Sequence, residues 1–145
     1  MLEQIKLAAV DTLPNNINRV ATLLYRIKAM LYYRWVFGSF GSKSFLRTPC
    51  LLANTHFMHI GHNTFFAKGA RLEVVLSNPT RHPELRVGDN VNIEQNVHII
   101  CHHRVTIGSN VSIAPMCSIM DTTHPFEEIG DAKVGNLLLD DDAVV

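Results

Sequence analysis

Branched aliphatic residues recur every six positions through much of this chain. Val87, Ile93 and Ile99 open consecutive blocks. A two-residue slip, Val105-Thr106, follows. Ile107, Ile113 and Ile119 then open three more blocks. A small or short residue often stands second (Gly88, Gly108, Ala114), and a small or β-branched residue often stands fifth (Val91, Val97, Val111, Cys117). An α-helix turns every 3.6 residues, and a half-buried strand alternates every second residue. Neither imposes a period of six. Three such blocks make one turn of a solenoid in which each block is a short flat strand and each corner is tight. The pattern predicts a mainly β fold.

The same spacing is visible earlier, with Ile60 and Phe66 opening clear blocks and Leu72 opening another. Asn78, Pro79 and Pro83 interrupt it, which predicts an excursion near 77–86. A second excursion is expected over 122–138, after which Leu139 resumes the repeat. Val145 opens a further block, so the chain reads as truncated in mid-coil. Upstream, residues 2–13 read as a short helix ended by Pro14, and Asn15 or Asn16 caps a second one. Ile17, Val20, Leu24, Ile27 and Leu31 follow the three-and-four spacing of one helical face. Arg19, Arg26, Lys28 and Arg34 lie off that seam, with Tyr25, Tyr32, Tyr33 and Trp35 beside it. The reading divides the chain into a helical segment, 1–48, and a solenoid, 49–145. A solenoid needs its open end covered, and a basic amphipathic helix suits a membrane interface. The helix is expected to do either or both.

The six-residue period assigns roles within each block. The opening aliphatic points inward and stacks on its equivalent in the next coil. Gly61, Gly88 and Gly108 relieve crowding near corners. Asn63, Asn90 and Asn110 tolerate a left-handed backbone and bond locally.

Composition refines this picture. Of 145 residues, 47% are hydrophobic and 18% charged, which supplies one core and argues against disorder. A net charge of zero conceals an asymmetry. No acidic residue lies between Asp11 and Glu73, a span that carries Arg19, Arg26, Lys28, Arg34, Lys43, Arg47, Lys68 and Arg71. Such a half suits phosphate or anionic lipid, or is simply a solvated face. Cys50, Cys101 and Cys117 are an odd count without a CxxC pair, which favours a reducing compartment. With no signal-peptide pattern and no apolar run of spanning length, the expected location is cytoplasmic, or peripheral at the inner face of the cytoplasmic membrane.

The blocks from Val87 to Asp121-Thr122-Thr123-His124-Pro125 resemble those of the hexapeptide-repeat acyltransferases, and the match extends over roughly Ile60 to Val145. Within that family the chain is most similar to the O-acetyltransferases of sugars and surface polysaccharides, including the maltose and galactoside acetyltransferases. The resemblance implies a left-handed parallel β-helix, an exception to right-handed crossovers. It implies a homotrimer with active sites between subunits. It also implies acetyl-CoA as donor and a sugar or lipid-linked glycan as acceptor. His124 matches the position of the family's catalytic histidine, and Asp121 that of an acidic residue three before it. The family's sugar-contacting asparagine falls at Glu94, a departure that points to a different acceptor geometry. The family's donor-side coils and their tryptophan have no counterpart, so no cofactor-binding residue carries over.

An imidazole titrates near working pH, so it can take a hydroxyl proton and later release it. Pro125 biases His124 toward an extended backbone that holds the ring away from the coil. The reading assigns His124 as general base, Asp121 as its orienting or acceptor-binding partner, and Glu94 as a substrate contact. Two rivals stand beside it. One is a non-catalytic or impaired truncated β-helix. The other is a zinc lyase resembling the γ-class carbonic anhydrases, for which His98, His102, His103 and His124 are the candidate ligands at spacings that differ from that class. The favoured reading expects no metal. His56, His59, His62 and His82 are expected at the surface. Cys101 and Cys117 are expected as small core residues. No nucleic-acid-binding module is recognisable.

Overall fold

The computed structural model describes residues 17–76 and 82–122. The first element, α1, is helical from 17 to 36 and includes a π-helical turn at Ala29–Tyr33 and a final α turn at Arg34–Val36. Among the described residues twelve short strands follow: β1 Ser39–Phe40, β2 Phe45–Leu46, β3 Leu51–Ala53, β4 Met58–Ile60, β5 Phe65–Phe66, β6 Arg71–Val74, β7 Glu84–Val87, β8 Asn92–Ile93, β9 His98–Cys101, β10 Arg104–Ile107, β11 Ser112–Ile113 and β12 Ser118–Met120. They form three parallel four-stranded sheets, β1-β4-β7-β10 (sheet A), β2-β5-β8-β11 (sheet B) and β3-β6-β9-β12 (sheet C). The chain visits the sheets in strict rotation, and every third strand returns to the same one. A mainly β molecule of three parallel sheets behind an N-terminal helix is compatible with a parallel β-helix.

The inward columns come directly from the sixes. Phe40, Ile60, Val87 and Ile107 stack in register on sheet A. Leu46, Phe66, Ile93 and Ile113 do so on sheet B, and Leu52, Leu72, Ile99 and Ile119 on sheet C. Leu46, Phe66, Leu72, Ile93 and Ile99 are fully buried. Burying one such side chain contributes ~1.5–3 kcal/mol.

Two boundaries differ from the sequence reading. Strands already begin at Ser39, ahead of position 49, because Phe40 and Leu46 supply the first inward residues. Glu84–Val87 is strand, so the excursion expected over 77–86 ends before Glu84. Residues 123–145, with most of the second excursion and the last repeat, lie outside the described residues.

The two-residue slip also has a structural meaning. Val105 points inward and Thr106 outward on β10, so the slip adds one in-and-out pair to a sheet A strand. Leu85 and Arg86 do the same on β7, and Met58 and His59 on β4. A circuit therefore advances 20 residues, as between Asn90 and Asn110. The circuit from Asn63 to Asn90 spans 27, and the seven extra residues fall between Val74 and Glu84, because β6 pairs with β9 at a spacing of 27 and β7 with β10 at 20.

Asparagines close one corner. Asn63, Asn90 and Asn110 have φ of 52°, 56° and 62°, the left-handed region that Asn tolerates. Their amides form a ladder, Asn63 Nδ2 donating to Asn90 Oδ1 at 2.9 Å and Asn90 Nδ2 to Asn110 Oδ1 at 3.2 Å. A Cβ on Gly88, beside this corner, would lie 2.6 Å from Ser109 Oγ and 2.7 Å from its nitrogen, so the stacked chains demand glycine there.

The helix covers the first circuit. Ala29, Tyr33 and Phe37 are buried against Phe40, with the Tyr33, Phe37 and Phe40 ring centroids 5.1–5.6 Å apart. Tyr25 Oη and Thr48 Oγ1 share a hydrogen bond at 3.1 Å. Thr55 Oγ1 donates to the Val36 carbonyl at 2.7 Å. The Arg26 guanidinium stands 5.4 Å over the Phe45 ring. The face used is Ala21, Thr22, Tyr25, Ala29, Tyr33 and Val36, whereas the seam read from the sequence points the other way. Tyrosine and phenylalanine rings bring larger contact area than Val or Leu, and the Tyr25 hydroxyl finds its partner, Thr48, at the rim.

Candidate functional site

The described residues reach the threshold of the expected site. β12 ends at Met120, and Asp121 follows at the corner leading away from sheet C. The Asp121 carboxylate receives three backbone N–H groups from the corner between β9 and β10, one circuit below. His102 N donates to Oδ1 at 2.5 Å, and His103 N and Arg104 N donate to Oδ2 at 2.8 and 2.6 Å. A turn that aims successive amides at one point is a natural cradle for a carboxylate. An ionised carboxylate offers about four acceptor sites, so three of them are engaged. Asp121 thereby pins the start of the segment that runs on to His124. His124 itself lies outside the described residues.

Cys101 sits under this cradle. It is fully buried, and its thiol donates to the Glu84 carbonyl at 3.3 Å. Burial, with the charge of Asp121 second, pushes the thiol up to about 12. It is a packing residue with almost no thiolate at neutral pH. Cys117 is half-buried and Cys50 exposed, and none of the three is in a disulfide.

Glu94 occupies a different corner, just after β8 on sheet B. It is half-buried and accepts from Asn92 Nδ2 at 2.8 Å, while its own N–H donates to the Ile113 carbonyl at 3.1 Å. Glu94 and Asp121 thus stand at the ends of strands in separate sheets. His98 faces outward on β9, His102 is buried and His103 exposed. Among the described residues no three His, Cys, Asp or Glu side chains converge as a metal ion would require.

The sheets also assemble a polar chain that the sequence pattern does not disclose. On the outer face of sheet A, Ser39 Oγ lies 3.2 Å from His59 Nδ1, and His59 Nε2 lies 3.5 Å from Glu84 Oε1. Arg86 Nη2 donates to the same Glu84 oxygen at 2.6 Å. That bond holds the Glu84 carboxyl below the usual range, partial burial opposing it and the charges of Arg86, His59 and Arg104 adding to it. The chain borders a shallow groove of about 550 Å³ along the turn of sheet A toward sheet B, lined also by His62 and Ser109. Its residues are far apart in sequence and meet only through strand register: Ser39 pairs with His59, and His59 with Arg86.

No helix among the described residues is long and apolar enough to cross a membrane. No family model, curated protein or solved structure matches the chain.

Proposed function

We propose that the three sheets form a left-handed parallel β-helix, and that the chain is an O-acetyltransferase of the hexapeptide-repeat kind. It moves an acetyl group from acetyl-CoA to a hydroxyl of a sugar or surface-polysaccharide precursor, and works as a homotrimer with sites at the seams between subunits. The observation that carries the reading is the union of two features. Branched aliphatics six apart stack in columns across the three sheets in rotation. The last described block is then anchored at Asp121, immediately before Thr122-Thr123-His124-Pro125.

In the proposed reaction His124 accepts the proton of the acceptor hydroxyl as its oxygen attacks the thioester carbonyl carbon. The oxyanion that develops is held by nearby N–H donors. It collapses with cleavage of the carbon–sulfur bond, and the imidazolium returns its proton to the departing CoA sulfur. An alcohol is a weak nucleophile until its proton is being removed, so the base governs the rate. Asp121 is a positioning residue: its carboxylate fixes the chain ahead of the base. Glu94, at a neighbouring corner, is the acceptor contact.

The test is acceptor-dependent release of CoA, followed chromatographically with purified chain, acetyl-CoA and a panel of mono- and oligosaccharides. The reading expects turnover that requires both substrates. CoA release that no acceptor accelerates, or no release at all from a folded protein, overturns it.

A further inference from the structure

The helix α1 has two apolar faces, and the sheets use only one of them. Ala29, Tyr33 and Phe37 are buried against the first circuit. On the opposite side Ile17, Val20, Leu24, Ile27, Leu31 and Trp35 form a continuous stripe at three-and-four spacing, each between 40% and 85% exposed. A solvent-facing helical surface is ordinarily polar, and a stripe of this extent marks a surface that something covers. Exposed Arg19, Lys28 and Arg34 flank it, while Arg26 is drawn over the Phe45 ring of the sheets, and no acidic residue occurs between Asp11 and Glu73.

We infer that this outer stripe of α1 docks the protein on an anionic lipid surface, with the helix lying in the plane of the interface. The charge pattern selects the occupant. Apolar side chains sunk at the level of the headgroups, with arginine and lysine along the edges, are what an anionic bilayer complements. A second copy of the same helix would instead bring arginines against arginines with no carboxylate on either helix to offset them. Trp35, the most exposed large side chain of the stripe at 85%, has the amphipathic ring that favours the membrane–water boundary. The other face of α1 is already fixed to the sheets, so docking requires no refolding. This inference stands apart from the proposed acetyl transfer and does not depend on it.

Trp35 is the only tryptophan in the chain, so its fluorescence reports the site directly. The intact chain is titrated with vesicles of equimolar phosphatidylcholine and phosphatidylglycerol, and separately with phosphatidylcholine alone. The inference expects a blue shift and co-flotation with the anionic vesicles, weakened by salt, and little with the neutral ones. Replacing two outward leucines, Leu24→Gln with Leu31→Gln, should weaken binding at least about tenfold. Reversing two marginal charges, Arg19→Glu with Arg34→Glu, should do the same. These four side chains are exposed, so the melting transition should be unchanged. Equal binding to both vesicle types overturns the inference, as does anionic binding that neither variant weakens. So does failure to bind with a drop in oligomer mass in the leucine variant, which would make the stripe an interface between copies.

Discussion

Removing the Asp121 carboxylate tests whether that residue anchors the segment ahead of His124. In Asp121→Ala the N–H groups of His102, His103 and Arg104 lose their acceptor. Hydrogen bonds to a charged group contribute ~1.5–3 kcal/mol each, net of water. His103 and Arg104 are exposed, so water replaces most of what their amides lose, whereas buried His102 is less easily served. The expected destabilisation is therefore ~2–3 kcal/mol, about one full charge-assisted bond. For a chain of this size that corresponds to a melting shift of ~5–10 °C. Because each circuit is stabilised mainly by its neighbours, the damage should be local. Hydrogen exchange read residue by residue should show the amides of 102–104 losing protection, while those of β4 and β5 keep theirs. Unchanged protection at 102–104 would refute the anchoring role, and uniform loss across all three sheets would refute the local character of the stack.

Three further outcomes follow from the geometry. Ile93→Ala, in the middle of the sheet B column between Phe66 and Ile113, should cost ~2–5 kcal/mol, measured by urea unfolding; a cost under ~1 kcal/mol would mean the column is not a packed core. Asn90→Ala and Asn90→Gly both lose the amide ladder, and Asn90→Ala should be the less stable of the two by ~1–2 kcal/mol because alanine resists φ of 56°; equal stability of the two would remove the left-handed corner from the account. Cys101, raised from 9.0 to about 12, binds its proton more tightly folded than unfolded. Its contribution to stability is full below pH 9.0 and is lost as pH rises toward about 12, and in the native protein Cys50 should alkylate well before it; mass-resolved labelling that found Cys101 reacting first would contradict the burial.

The sixes were legible because the signal is chemical and periodic. Ile93, Ile99 and Ile113 each stand where the sheets need an inward branched side chain. The Asn63, Asn90 and Asn110 corners were legible for the same reason, as few residue types accept that backbone. The orientation of α1 was not. Periodicity shows that Ile17, Val20 and Leu24 share a face, but the partner selected the broader face of Tyr25, Ala29 and Tyr33. The anchoring by Asp121 was hidden too, because its partners are backbone amides 17 to 19 residues away, which leave no mark in a sequence. The Ser39–His59–Glu84 chain emerges only when the registers of three circuits are known.

The most direct test of the central claim is the rate of acetyl transfer to the best sugar acceptor in His124→Ala beside the unaltered chain, with oligomer mass and circular dichroism matched. Loss of a general base should lower kcat by ~10²–10⁴ with little change in folding. A His124→Ala protein that transfers acetyl at the unaltered rate would contradict the account.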